Sequence, residues 1–182
     1  MAFAQEKIYT IDDIYALPEG TRAELIDGQI YYMAPPSRIH QEISGELHYI
    51  IKDYIRQKAG TCKIYSAPFA VFLLNNDETN YVEPDISIVC DRSKLDDKGC
   101  HGAPDWIIEI VSPSNPGHDY VTKLSEYNAA GVREYWIVDP TTESITVYFF
   151  ESNLFAQRYT FSDSVKVHIY DDLEIDFSQM EL

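Results

Sequence analysis

The hydrophobic and polar positions of the chain first define one long amphipathic helix. Apolar residues recur at spacings of three and four between positions 39 and 55, which is typical of the buried stripe of a helix. This segment follows a breaker, Ala34-Pro35-Pro36-Ser37, and its far side carries basic residues. The apolar positions are Ile39, Ile43, Leu47, Ile50, Ile51, Tyr54 and Ile55.

Two further helices are predicted from their ends. Residues 10–17 begin with Thr10 as N-cap and Asp13 as its capping-box partner, and Pro18 ends the segment. Residues 119–130 end at Gly131, the residue expected at a left-handed C-cap.

The remaining apolar segments predict strands. Residues 23–26 and 29–33 flank Asp27-Gly28, a strong hairpin signal. The run 105–111 is almost wholly apolar, as in a central strand covered on both faces. We predict a mixed α/β domain with helices on the sheet faces and an antiparallel C-terminal meander. The other predicted strands are 61–66, 69–74, 82–90, 134–138, 144–150, 155–161 and 165–170, with polar loops at 75–80 and 112–117.

Composition bounds the class of protein. The chain has 182 residues, 45% of them hydrophobic, and 14 basic against 30 acidic residues give a net charge of −16. We expect one soluble globular domain over 1–182, with a core at about 20–140 and C-terminal strands at 144–170. The sequence has no apolar run of membrane-spanning length and no signal peptide, so we expect a cytoplasmic protein. The acidic residues Asp171, Asp172, Glu174 and Asp176 are expected to form a solvated tail.

Cysteine number and net charge argue against several common kinds of site. Cys62, Cys90 and Cys100 are an odd number without a C-x-x-C pair, which argues against a disulfide framework and a structural zinc site. We expect reduced thiols. The acidic balance also means that any contact with nucleic acid must be local. The basic residues Lys52, Arg56, Lys58 and Lys63 could follow a phosphate backbone, or form a solvated face.

Carboxylates in strands that should be buried are the informative residues. Alternation places Glu83 and Asp85 on one face of 82–90, and Pro84 removes a ladder donor between them. Glu109 stands among five apolar residues. A buried carboxylate costs several kcal/mol unless a cation neutralises it, and Mg²⁺ prefers such oxygen ligands. Alternatively, Asp85 caps a turn and Glu109 pairs with Arg133 or a lysine.

A cation near the end of the Glu109 strand strengthens the hypothesis of a metal site at Asp85 and Glu109. Asp119 and Lys123 lie in the first turns of the following helix, where Lys123 can reach the same site. The alternative is an ordinary solvated lysine.

These motifs resemble the PD-(D/E)XK nuclease superfamily, and more closely a family of small endonuclease-like proteins formerly described as a domain of unknown function. The resemblance extends from residue 9 to residue 140. It rests on Glu24-Leu25-Ile26-Asp27-Gly28, Pro35-Pro36-Ser37 with His40, Pro84-Asp85, Ile108-Glu109-Ile110-Val111-Ser112-Pro113-Ser114, Asp119, Lys123, and Ala130-Gly131-Val132-Arg133-Glu134-Tyr135-Trp136-Ile137-Val138-Asp139-Pro140.

The resemblance implies a restriction-endonuclease-like fold and a DNA endonuclease that uses Mg²⁺ or Mn²⁺. Asp85 and Glu109 would hold the metal together with the carbonyl of Ile110. The lysine expected two residues after Glu109 is replaced by Val111, so Lys123 would supply the cation.

Two further residues, Glu24 and His40, correspond to the family's motifs. Glu24 would be an additional acidic residue of the site, and His40 would contact phosphate or position Glu24. Alternatively, Glu24 is a solvated strand residue and His40 begins a helix without a chemical role.

Other functions stay open at this stage. A non-catalytic interaction or regulatory domain of the same fold is favoured by the charge of −16. A metal-free glycosidase with Asp85 and Glu109 as acid and base is a more distant alternative. A homodimer through the C-terminal strands or the long helix would suit a nuclease that cuts both strands.

Overall fold

The computed structural model describes residues 7–73, 78–112, 118–152 and 156–182, with only the backbone of His118. The helical elements are α1 (Ile11–Tyr15), α2 (Arg38–Gln57), a π-helix (His118–Lys123), α3 (Leu124–Ala130) and two 3₁₀ turns (Arg92–Lys94 and Phe177–Gln179). The strands are β1 (Ala23–Ile26), β2 (Gln29–Tyr32), β3 (Lys63–Ser66), β4 (Val71–Phe72), β5 (Ile86–Val89), β6 (Cys100–His101), β7 (Trp106–Ile110), β8 (Glu134–Asp139), β9 (Ser144–Phe149), β10 (Gln157–Thr160), β11 (Ser164–Lys166) and β12 (Glu174–Asp176).

A six-stranded mixed sheet organises the structure. Its strand order is β10-β9-β8-β7-β5-β3, and only β7 and β8 run parallel. The π-helix and α3 form the crossover between those two parallel strands, as parallel pairing requires. Three two-stranded sheets, β1-β2, β4-β6 and β11-β12, complete the described part of the chain. The mixed α/β prediction is confirmed.

Two hydrophobic layers cover the faces of this sheet. On one face α2 buries Ile43, Leu47 and Ile51 against a layer that contains Trp106 and Trp136. On the other face α3 buries Tyr127 beside Ile107, Tyr135 and Ile137. Because side chains alternate along β7, Glu109 points to the same face as Ile107, which is the side of α3.

Local signals in the sequence are confirmed at several element ends. Thr10 and Asp13 form the capping box of α1. Asp27 and Gly28 both have positive φ in the turn that joins β1 to β2. Gly131 is left-handed after α3.

Two predicted elements differ from the structure. The strand at 82–90 is confined to β5, because Pro84 interrupts it, and residues 81 and 82 only form isolated bridges. The helix at 119–130 begins as a π-helix and continues as α3. Parts of the segments at 69–74, 75–80, 112–117 and 155–161 lie outside the described residues.

The acidic C-terminal segment is an ordered part of the fold, so the prediction of a tail was wrong, although its four acidic residues are exposed as predicted. Glu174 and Asp176 point outward from β12, which pairs with β11, while Leu173, Ile175 and Phe177 are buried in the core. The meander is also divided, since β9 and β10 extend the main sheet but β11 does not. Leu173, Ile175 and Phe177 alternate with charged residues, a period of two that is typical of a strand and that the sequence analysis missed.

The expectation of three reduced thiols was wrong as well. Cys62 and Cys90 form a disulfide, and Cys100 is a free, buried thiol. The disulfide joins the residue before β3 to the residue after β5, next to the register pair of Lys63 and Val89. Pairing of distant strands creates this contact, which cysteine spacing alone does not indicate. Among the described residues, no helix is long and apolar enough to cross a membrane.

Candidate active site

Asp85 lies just before β5, at the end of the segment that Pro84 interrupts. Its Oδ2 accepts a hydrogen bond from the backbone N–H of Ile110 at 2.8 Å. The same oxygen lies 3.0 Å from Nε2 of His40. His40 is buried in the first turn of α2, which begins after the N-cap Ser37. The end of β7 and the start of α2 therefore both orient the Asp85 carboxylate.

Glu109 lies in the central strand β7 and is 3% exposed. Its Oε1 accepts hydrogen bonds from Nζ of Lys123 at 2.9 Å and from the hydroxyl of Tyr127 at 2.6 Å. Its Oε2 lies 3.4 Å from the backbone N–H of Asp85. The two predicted metal-binding carboxylates are therefore neighbours across the β5–β7 pairing.

Lys123 is buried at the end of the π-helix and is enclosed by carboxylates. Its Nζ lies 2.9 Å from Oε1 of Glu109, 2.9 Å from Oε2 of Glu24 and 3.7 Å from Oδ1 of Asp119. π-Helical turns are rare and occur often at functional sites. This one carries both Asp119 and Lys123, and the prediction that Lys123 reaches the Glu109 strand is confirmed as a contact.

Glu24 completes the cluster from β1. It is 2% exposed, and its Oε1 accepts a hydrogen bond from the backbone N–H of Glu83 at 3.0 Å. The structure thus excludes the alternative of a solvated strand residue. Glu83 itself does not join Asp85, because its carboxylate bonds to Arg22 at 2.9 Å and to Tyr81 at 2.8 Å.

The five predicted residues Glu24, His40, Asp85, Glu109 and Lys123 line one cleft of about 290 Å³. They form one pair, His40 with Asp85, and one group of three, in which Lys123 contacts both Glu24 and Glu109. His40 does not contact Glu24 by any described hydrogen bond or ion pair; its partner is Asp85. Further lining residues are Arg22, Tyr32, Pro36, Ile110, Ser112 and Asp119.

The charges in this cleft are unbalanced. Burial and then the neighbouring carboxylates of Asp85, Asp119 and Glu24 raise the pKa of Glu109 well above its ordinary value, although Lys123 opposes them. Burial alone would lower the pKa of Lys123, but Glu109, Glu24 and Asp119 outweigh it and raise that pKa well above its ordinary value. One lysine therefore faces more carboxylates than it can neutralise.

This excess of negative charge fits a divalent cation. Carboxylate oxygens are hard ligands of the kind that Mg²⁺ binds, commonly through only one or two side chains and several waters. Asp85 and Glu109 provide such a pair, and Ile110 lines the same cleft. Within the described ranges, no group of three or more histidine, cysteine, aspartate or glutamate side chains is arranged to hold a metal. A site here would rest on two carboxylates.

Two contributors were not foreseen from the sequence. Tyr127 bonds to Glu109, and Arg22 lies in the cleft paired with Glu83. Tyr127 follows Lys123 by four residues, so the helical period would have placed both on one face. Nothing local distinguishes Arg22, because its partner Glu83 is 61 residues away.

The fold has a solved counterpart. It resembles the crystal structure of "a putative nuclease belonging to DUF820 from Anabaena variabilis ATCC 29413", with a TM-score of 0.76 and 21% identity. The alignment covers 94% of this chain and 96% of that one. At this level of identity the likeness shows the shared fold.

Sequence comparison identifies a relative and a family. The chain is 29% identical over 126 residues to the "Uncharacterized protein slr1290" of Synechocystis sp. (strain ATCC 27184 / PCC 6803 / Kazusa). That match spans 69% of this chain and 64% of the relative. The model of the Uma2 family, described as "Putative restriction endonuclease", matches residues 11–179. The resemblance inferred from the sequence is confirmed, and the chain belongs to the Uma2 family.

Proposed function

We propose that this protein is a metal-dependent endonuclease that hydrolyses phosphodiester bonds in DNA. One observation carries the proposal: Asp85 and Glu109 are adjacent in a cleft, with the buried ammonium group of Lys123 bonded to Glu109. An acidic pair that can hold a divalent metal, beside a fixed positive charge, suits metal-assisted phosphodiester hydrolysis. Family membership supports the reaction class.

Each residue has a role that follows from its contacts. Asp85, Glu109 and the carbonyl of Ile110 would hold Mg²⁺ or Mn²⁺, which polarises the scissile phosphate and lowers the pKa of a water when bound. Lys123 provides positive charge for the transition state, since its ammonium is held in place by Glu24 and Glu109.

The histidine acts through its neighbour. His40 orients the Asp85 carboxylate, because its Nε2 lies 3.0 Å from Oδ2, the oxygen that also accepts from the N–H of Ile110. It is therefore a positioning residue in this mechanism.

Nicking of supercoiled plasmid tests the proposal. We expect cleavage by the purified protein with Mg²⁺ or Mn²⁺, and none with EDTA or with Asp85→Ala. Asp171→Ala is the matched control, because it removes the same charge at an exposed position away from the cleft. Cleavage by Asp85→Ala at the rate of the unaltered protein would refute the assigned metal site.

Thermal unfolding gives a readout that does not depend on cleavage. A ligand that binds only the folded state raises the unfolding midpoint. We expect Mn²⁺ to raise the midpoint of the unaltered protein and of Asp171→Ala, but not that of Asp85→Ala.

A second candidate is a non-catalytic interaction domain of the same fold. The net charge of −16 favours it, because nucleic acid approaching this surface meets long-range repulsion. This candidate predicts neither nicking nor a metal-dependent midpoint. Homodimerisation stays a prediction, which light scattering of the purified protein can test.

A further inference from the structure

A second groove adjoins the candidate active site. It has a volume of about 630 Å³ and lies between α2 and the end of β3. Gln41, Ala67 and Asp85 line both this groove and the cleft, so the two spaces meet at Asp85. A chain-like ligand could therefore extend from the cleft into the groove without leaving the protein surface.

The groove is lined by one polar face of α2. Gly45, His48, Lys52 and Arg56 recur at spacings of three and four, which places them along one line of the helix. Ring nitrogen Nδ1 of His48 lies 2.7 Å from the hydroxyl of Ser66 on β3, so the floor of the groove is fixed by a hydrogen bond between the two elements.

The cations of this face differ in their partners. Lys58, outside the groove, pairs with Asp172. Arg56 pairs with Asp53 at 2.6 Å, but its side chain is 81% exposed, so the pair is weak and Arg56 can turn to another anion. Lys52 is exposed and has no ion-pair partner among the described residues. Lys52 therefore lies beside the acidic cleft without an ion pair to any described residue, in a groove whose lining also includes the carboxylates of Asp53 and Asp85.

Gly45 lacks a folding role at this position. It lies inside a helix of 20 residues, and an added Cβ would meet no atom within 4 Å. Glycine inside a helix is destabilising relative to alanine. Stability would therefore favour a larger residue, and what glycine provides here is an open groove.

An exposed aromatic ring borders the same space. Tyr49 is 67% exposed, and it lines the groove next to Lys52. Aromatic faces combined with a few cations are typical of surfaces that bind single-stranded nucleic acid by stacking and phosphate contacts. A duplex carries about one charge per 1.7 Å, which two cations in so acidic a protein match poorly.

We propose that this groove holds one unpaired nucleic-acid strand next to the phosphate that is cut. Tyr49 stacks on a base, Lys52 and Arg56 contact phosphates, and Gly45 leaves space for the backbone. The inference rests on the proposed nuclease function and adds the form of the substrate: the protein engages a single strand, in a flap, a gap or a melted segment, in preference to a continuous duplex.

Binding measured without cleavage tests the groove separately from the chemistry. Fluorescence anisotropy of a short labelled oligonucleotide, single-stranded or as a duplex, is recorded with EDTA and at low salt. We expect tighter binding of the single strand. Lys52→Glu should weaken it by about tenfold or more, since both attraction and local potential reverse. Lys166→Glu, an equal charge change at an exposed residue of β11, should weaken it by less than about twofold.

Substitutions at Gly45 distinguish a loss of binding caused by a blocked groove from one caused by a damaged fold. Gly45→Ala and Gly45→Gln should both raise the urea midpoint, because both residues favour helix more than glycine does. Only Gly45→Gln should abolish most oligonucleotide binding, since its side chain fills the groove. A loss of binding together with a gain in stability can only be steric.

The outcomes distinguish the two proposals. Three results would each overturn the proposal that the groove binds a single strand, whatever the nicking assay shows. They are failure of the unaltered protein to bind the single strand, preference for the duplex, and unchanged binding by Lys52→Glu and Gly45→Gln. Binding that these variants lose, in a protein that never cuts, would support the groove and refute the nuclease.

Discussion

At the scale of single residues, the hydroxyl of Tyr127 helps to hold Glu109 in the candidate active site. It donates to Oε1 of Glu109 at 2.6 Å, and both residues are buried. A hydrogen bond to a charged group contributes about 1.5–3 kcal/mol. We expect Tyr127→Phe to lower the free energy of unfolding by about 2 kcal/mol, measured by urea unfolding, and to slow plasmid nicking.

Tyr148→Phe is the control for this change. Tyr148 is a partly buried tyrosine on β9 whose hydroxyl makes no hydrogen bond with a described residue. An equal loss of stability in both variants would mean that the bond to Glu109 contributes nothing beyond packing.

Glu134 provides a pH-dependent residue remote from the cleft. It is fully buried on β8 and accepts hydrogen bonds from Nε1 of Trp136 at 2.7 Å and from the N–H groups of His168 and Ile169, each at 2.8 Å. Burial raises the pKa of Glu134 from 4.5 to about 7, although these hydrogen bonds and Arg133 oppose the change. The folded protein therefore keeps this proton at pH values where the unfolded chain has released it.

Glu134 should therefore stabilise the folded protein most at low pH. The contribution to stability is complete below pH 4.5 and is lost as pH rises to about 7. We expect the free energy of unfolding to fall by about 3 kcal/mol across that range through this group. Urea unfolding of the unaltered protein and of Glu134→Gln measures it as the difference between two pH profiles. Parallel profiles would show that Glu134 has the same pKa in the folded and unfolded protein.

At the scale of elements, sequence pattern predicted what local periodicity controls. The stripe of α2, the hairpin turn and the apolar run of β7 were each visible within one segment. The segment around β12 was missed because acidic residues outnumber the three apolar positions that are buried. The pairing of Cys62 with Cys90 depends on which strands are neighbours, which no single segment encodes.

The candidate site divides in the same way. Asp85 and Glu109 were visible as carboxylates in apolar surroundings, Lys123 was visible as a cation on the following helix, and the resemblance supplied Glu24 and His40. The contacts between these residues were not visible in the sequence. The contact of His40 with Asp85, for example, depends on where α2 begins over the sheet. Side-chain contacts between distant segments follow from packing, and packing has no local signature.

The turn of the β1–β2 hairpin depends on a glycine at position 28. Gly28 has φ of +71°, and an added Cβ would lie 2.5 Å from Cγ2 of Ile8. We expect Gly28→Ala to lower the free energy of unfolding by about 1–2 kcal/mol, because a left-handed alanine is strained and Ile8 must move. Gly20→Ala is the matched control, since Gly20 has φ of +83° with no atom within 4 Å of its Cβ position. A smaller loss for Gly28→Ala than for this control in urea unfolding would refute the contact with Ile8.

At the scale of the whole molecule, part of the excess of acidic residues is concentrated in the candidate active site. The chain carries 30 acidic residues, and several of them converge on one cleft with a single buried lysine. Such convergence destabilises a fold unless a ligand offsets the repulsion. The cleft is therefore where added divalent cations should have their largest effect on stability.

The Cys62–Cys90 disulfide is the other feature that acts on the whole chain. It closes a separation of 28 residues and joins strands at one end of the main sheet. Restricting the unfolded chain over such a loop contributes about 3 kcal/mol. We expect a reductant to lower the free energy of unfolding by about that amount, and the double variant Cys62→Ser, Cys90→Ser to be equally destabilised and insensitive to reductant. Cys100 is a free thiol, so the double variant contains no intramolecular disulfide for a reductant to cleave. Identical urea midpoints for the oxidised and reduced protein would mean that the strands β3 and β5 are held by their ladder alone.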